Sequence, residues 1–240
     1  MSVSDDPEQH SFERLLRFSG PINGPEQRRA AWMDLLFRDQ GIWRLFWKNR
    51  RKFAARAWRS NQPMPRDIRW AADQGIRTII NARHDAGRHG GHALAKEAAL
   101  DAGLAYITLE SSPIFSRAAP SREALLGAAE VLLAAPGPVL IHCKSGADRA
   151  GFLSALYRIV VEGHTVHDAA AELTLRHLHF ARSKTGILDA VFAAYLAETA
   201  TTGKPFLDWV RDDYNPEAIT KRFRAGFLSD ILDRFILRRE

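Results

Sequence analysis

Val139-Leu140-Ile141-His142-Cys143-Lys144-Ser145-Gly146-Ala147-Asp148-Arg149-Ala150-Gly151 is the stretch from which the architecture can be read. Its first residues form a short apolar, β-branched run, the mark of a buried strand. Small and polar residues follow as a loop, and from Ala150 to about Val161 the pattern becomes helical. A short loop between a strand's C-terminal end and a helix N-terminus aims several backbone N–H groups at one point. The helix dipole adds positive potential there. Five residues separate Cys143 from Arg149, with Gly146 between them, and Arg149 offers a planar fork matched to two phosphate oxygens. The loop therefore reads as a phosphate cradle with a thiol in it.

Upstream, the same alternation recurs. Ala57-Trp58-Arg59 reads as a strand and Asn61-Gln62-Pro63 as a turn, and Pro65 opens a helix that Gly75 closes. Thr78-Ile79-Ile80-Asn81 is a second strand, Gly91 to Ala102 a helix, and Ala105 to Leu109 a third strand. Ser121 caps a helix that runs to Ala135. Strands alternating with helices predict an α/β fold, a mostly parallel central sheet flanked by helices. Thr165 to Thr199 reads as two further helices, and Pro205 and Pro216 precede tail helices. At the other end, Pro25 opens a helix over Glu26 to Asp39, and a second helix is expected from Gly41 through about Arg51. The expected organisation is a flexible leader (1–25), basic aromatic amphipathic helices (26–52), a catalytic domain (53–200) and a helical C-terminal extension (201–240).

Composition bounds the function. Hydrophobic residues make up 46% and charged residues 26% of 240, a soluble globular balance. The polar, acidic start lacks the marks of a signal peptide, and no apolar run is long enough to span a bilayer. Cys143 is the sole cysteine, which excludes an internal disulfide and a thiolate zinc cluster and fits a reducing cytoplasm. From Arg28 to Arg59 ten basic residues face two acidic ones, Asp34 and Asp39, and four of the six tryptophans lie between residues 32 and 58. Such a segment attracts phosphate-bearing partners or an anionic membrane surface. No recognition motif for nucleic acid accompanies it.

His-Cys-x5-Arg followed by Gly resembles the signature of the cysteine-dependent protein tyrosine phosphatase superfamily, nearest to its dual-specificity-like bacterial branch. Trp58 to Pro63 and Gly75 to Asn81 are similar to that branch's opening strands, and the likeness covers roughly Phe53 to Ala181. The resemblance implies a phosphate monoester hydrolase without metal or other cofactor. Cys143 would be the nucleophile of a cysteinyl-phosphate intermediate. Lys144, Ser145, Gly146, Ala147, Asp148 and Arg149 would bind the phosphate, and His142 would brace the loop.

Two departures stand out. The loop Ser111 to Pro120, where many members carry a general-acid Asp, contains no acid. Asp148 is the first candidate in its place, as in some branches that protonate the leaving oxygen from this position. Glu110 is the second, and Asp85 also follows a strand. Ala150 replaces the usual hydroxyl residue, which predicts slower hydrolysis of the phospho-enzyme. His164, His167, His177 and His179 read as surface or cap histidines, and His177 and His179 as a poor metal pair. A phosphorylated protein is the first substrate class, with a lipid or inositol phosphate at a membrane surface as the alternative. A catalytically weak phosphate-binding module is the third.

Overall fold

The structure is a computed structural model that describes residues 18–84 and 86–236, with side chains as far as Gly226. Most of the expected leader and Asp85 therefore lie outside the described residues. In chain order the elements are α1 (Pro25–Met33), β1 (Arg51–Ala54), β2 (Ala57–Ser60), α2 (Pro65–Asp73), β3 (Thr78–Asn81), α3 (Gly90–Asp101) and β4 (Ala105–Thr108). They continue with α4 (Arg122–Ala134), β5 (Val139–His142), α5 (Asp148–Val160), α6 (Val166–Ala169), α7 (Ile187–Glu198), α8 (Phe206–Asp212) and α9 (Pro216–Ile236). Two compact units share them: Met1–Arg51, Arg56–Glu110 and Pro136–Ser145 form the first, and Lys52–Ala55, Ser111–Ala135 and Gly146–Glu240 the second.

The five-stranded sheet has the order β1-β2-β5-β3-β4. The pairings β2–β5, β5–β3 and β3–β4 are all parallel, as the alternation of strands and helices predicts. Every residue of β3 and β5 is buried, which is why apolar residues stand side by side at Ile79–Ile80 and from Val139 to Ile141 rather than alternating. In register, Ser60, Asn81 and His142 align at the C-terminal strand ends, with Thr108 beside Asn81. Parallel pairing thus delivers the loop after β5 to the edge where open α/β sheets bind ligands.

One core cluster of the first unit joins Ile68, Ile76, Ile79, Leu104 and Leu140 with the alanines of α3. Another joins Phe18, Ala31, Leu35, Met64 and Leu94, so the N-terminal segment is built into this unit. The buried Asp34 carboxylate accepts the backbone N–H of Gly90 at 2.7 Å, serving as a long-range cap for α3, whose own N-cap residue, His89, makes no side-chain cap.

The expected second N-terminal helix is a correction. A 3-10 turn spans Gly41–Leu45, and the chain then leaves helical geometry before β1. Gln40 (φ 58°) and Asn49 (φ 42°) adopt left-handed backbone conformations that interrupt any helix. A Cβ at Gly41 would overlap the Leu35 carbonyl, so close packing of the turn explains this glycine.

In the second unit, α7 and α8 meet over Phe192, Phe206 and Trp209, while Phe152 of α5 stacks on Phe192 at 4.9 Å. Tyr214 donates from its hydroxyl to Pro120 O at 2.7 Å. The first of the two helices expected after Thr165 shrinks to the single turn of α6, followed by 3-10 turns at Ala170–Glu172, Leu175–His177 and Lys184–Gly186. Leu178 (φ 61°) breaks the pattern. No described helix is long and apolar enough to cross a membrane.

Candidate active site

The loop from His142 to Arg149 is one continuous stretch of chain, and its two halves belong to different units, so each is described with its own unit. In the first, His142 ends β5 fully buried, and its Nε2 lies 3.3 Å from the Tyr106 hydroxyl. That hydroxyl is 3.4 Å from Nδ1 of His92, and the same nitrogen accepts the Asn81 amide N–H at 3.0 Å. Burial pulls His92 down to about 4, so it is neutral and can accept. Burial also holds Tyr106 as the phenol.

Cys143 follows, 2% exposed. The next two carbonyls are tied down: Lys144 O accepts from Gln62 N at 3.1 Å, and Ser145 O from the Asn49 side chain at 3.0 Å. The first side of the loop is thus held by residues from 49 to 62.

Beside it lies a buried ion cluster assembled from positions far apart in sequence. Asp39, 5% exposed, accepts two hydrogen bonds from Arg83 (2.8 and 2.9 Å) and one from Arg44 at 2.5 Å. Lys144 Nζ stands 3.4 Å from the same carboxylate. Burial disfavours the charge on Asp39, but Arg83, Arg44 and Lys144 outweigh it and hold the carboxyl at about 2. Arg44 also lies within electrostatic reach of Cys143. Much of the basic segment proves to be engaged internally. Arg28 pairs with Glu97 and Arg38 with Asp34, Lys48 and Arg50 meet Asp67, and Arg50 stacks on Trp70 at 3.4 Å.

In the second unit, Gly146 takes φ 76°, a backbone geometry that glycine adopts without cost, and α5 begins two residues later. Asp148 and Arg149 occupy its first turn, at the positive end of the dipole. Ala150 is fully buried.

Of the reading of four surface or cap histidines, surface exposure is corrected for His177 and His179, which are 6% and 1% exposed, whereas His164 and His167 are exposed. His179 bridges two carboxylates, with Nδ1 2.7 Å from Asp148 Oδ1 and Nε2 2.6 Å from Asp189 Oδ2. Burial opposes a charged imidazole, but the two carboxylates prevail and raise His179 to about 9 from 6.5. A raised value stabilises the fold fully below pH 6.5, and that contribution is lost as pH rises through about 9. Accordingly, the thermal midpoint is expected to drop between pH 6.5 and 9. His179→Gln should flatten that limb, and an equally steep fall in the variant would refute the assignment. Glu110, the other acid considered, is exposed. Among the described residues no group of three or more His, Cys, Asp or Glu is arranged to hold a metal ion.

Comparison with known proteins adds four findings. A family model described as "DSP-PTPase phosphatase fused to NAD+ Kinase" matches residues 47–189, more than half of the chain. The dual specificity protein phosphatase TpbA of Pseudomonas aeruginosa is 51% identical over 37 residues, which is 15% of this chain and 17% of that protein. Among solved structures, P. aeruginosa TpbA aligns with a TM-score of 0.48 at 22% identity, over 68% of this chain and 89% of that one. The active form of Tk-PTP aligns with a TM-score of 0.47 at 19% identity, over 64% of this chain and 99% of its own.

Proposed function

The chain belongs to the DSP-PTPase phosphatase family, and from that premise we propose that it hydrolyses phosphate monoesters through Cys143. One observation carries the reading. A continuous Cys-x5-Arg loop leaves a fully buried strand, turns at a positive-φ glycine and enters a helix N-terminus. In this reading the Cys143 thiolate attacks phosphorus to give a cysteinyl-phosphate, and the leaving oxygen takes a proton from Asp148. Water then attacks phosphorus and the thiolate departs. Arg149 and the loop amides balance the charge of the transferring group, so the chain's own residues suffice for the electrostatics. Lys144, held by Asp39, adds positive charge at the rim. A phosphorylated protein, with phosphotyrosine foremost, is the proposed substrate class. The test is metal-free hydrolysis of an aryl phosphate, with trapping of the phospho-enzyme on Cys143. Slow decay of that species is the expected signature of Ala150.

A second reading concerns residues 26–59, for which a specific observation speaks. Phe46 is 86% exposed and Trp43 72%, with Phe37, Ile42 and Trp47 also exposed nearby. Large apolar side chains gathered on one short segment mark an interaction surface. Arg51 and Lys52 follow closely in sequence. The proposed partner is an anionic membrane face, at which tryptophan and phenylalanine enter the headgroup region. Trp43→Ser with Phe46→Ser should cut binding to phosphatidylserine-containing vesicles about tenfold or more, on the scale of burying two large aromatic side chains. Co-sedimentation unaffected by the double substitution would remove the idea.

A further inference from the structure

His179 has no part in the steps just described, yet both of its ring nitrogens are engaged by carboxylates. Its ring is inaccessible to solvent, while the Asp148 and Asp189 side chains are 20% and 33% exposed. Each ring nitrogen faces a carboxylate oxygen, Asp148 from α5 and Asp189 from α7. With an acceptor on both sides, the ring can carry a proton on both nitrogens. The backbone pays for this placement just before it. Leu178, half exposed, sits at φ 61°, a conformation costly for an L-residue. From that turn, His179 N donates to Thr174 O at 3.1 Å and the ring is directed inward.

We propose that His179 is a positioning residue that keeps Asp148 supplied with the proton it delivers, in a relay running Asp189–His179–Asp148. The inference rests on the reading of Asp148 as donor to the leaving oxygen. In the first step the sulfur–phosphorus bond forms and the phosphorus–oxygen ester bond breaks. Asp148 takes the Nδ1 proton of His179 and passes it to the leaving oxygen, ending as the carboxylate it was at the start. The imidazole left behind is neutral and keeps its Nε2 proton on Asp189. In the second step water forms the new phosphorus–oxygen bond and the sulfur–phosphorus bond breaks, releasing the thiolate. The proton lost by the water passes to Asp148 and on to Nδ1, and the relay is loaded again. Asp189 holds the ring's tautomer and favours its charged form. The carboxylates that raise His179 to about 9 make the loaded form dominant at neutral pH.

The test is a leaving-group series: aryl phosphates from acidic to weakly acidic phenols, then an alkyl phosphate, with kcat/KM measured against pH. For His179→Gln the loss is expected to grow with leaving-group basicity, to about 100-fold on the poorest leaving group and under about tenfold on the most activated one, the span of general-acid catalysis. In the wild type, activity on the poor leaving groups falls as pH rises through about 9, and in His179→Gln that limb moves. A uniform loss across the series with an unmoved limb would assign His179 a structural role and overturn the relay. Asp148→Asn separates the two readings. If it steepens the leaving-group dependence and His179→Gln does not, Asp148 stands as the donor and the relay fails. If neither steepens it, the donor reading itself has failed. Should His179→Gln not fold, Asp189→Asn decides: loss of the second carboxylate moves the basic limb to lower pH if the relay operates and leaves it in place if not.

Discussion

Cys143→Ser is expected to remove the hydrolysis of aryl phosphates, with turnover lowered on the order of 10⁴-fold or more. A serine hydroxyl is un-ionised at neutral pH and has no general base assigned to it in this loop. It is also a poorer leaving group than a thiolate, so both halves of the reaction suffer. The fold should persist, because a hydroxyl replaces a thiol of similar size at a site that is 2% exposed. Phosphate binding should persist too, since in the proposed site it rests on loop amides and Arg149 rather than on the sulfur. Calorimetric titration with inorganic phosphate, run beside steady-state kinetics, separates binding from turnover. Turnover within tenfold of the wild type would sink the cysteinyl-phosphate mechanism. Loss of phosphate binding along with activity would point instead to a damaged loop.

Asp39→Asn should be the most destabilising single change in the first unit, costing about 3–5 kcal/mol, as when one partner of a buried ion pair is removed. The amide keeps the shape of the carboxyl but leaves Arg44 and Arg83 facing each other, 7% and 5% exposed in their side chains, without a counter-charge. Urea unfolding is the measurement, and a change under 1 kcal/mol would show that water or a rearrangement compensates the guanidinium groups. The wild-type cluster also predicts acid behaviour. Because Asp39 is held at about 2, below its ordinary 3.8, its stabilisation is complete above pH 3.8 and is lost as pH falls through about 2. The consequence reaches the loop through Lys144, whose ammonium shares the Asp39 carboxylate and whose carbonyl is tied to Gln62. Asp39, Arg44 and most of the exposed aromatic segment precede residue 47, where the family match begins. The support of the loop thus draws in part on residues outside the matched range.

What could be read from the sequence was local or periodic. Val139 to Ile141 is legible as a buried strand because parallel strands covered on both faces favour continuous apolar runs, and these residues and His142 are all buried. The cap at Ser121, whose side chain accepts from Ala124 N, and the helix start at Pro65 likewise follow from residue chemistry at fixed offsets. The Cys143 to Arg149 spacing belongs to the same kind, since chain geometry between a strand and a helix leaves the loop few shapes. Periodicity failed where backbone left the helical region. The apolar spacing of Trp43, Phe46 and Trp47 suggested a helix, but Gln40 and Asn49 stand at positive φ and the aromatic rings face solvent.

Only the tertiary structure decided the electrostatics around the site. His179 meets Asp148 across 31 residues and Asp189 across 10, and Asp39 meets Arg83 across 44. No local rule links such positions, because burial and charge pairing are properties of contacts made when distant segments pack. Hence the sequence by itself determined the strand–loop–helix that holds Cys143 and Arg149. Packing decided which histidine stands between Asp148 and Asp189 and which carboxylate holds Lys144, since a charge is worth little in water and much once neighbours have displaced it.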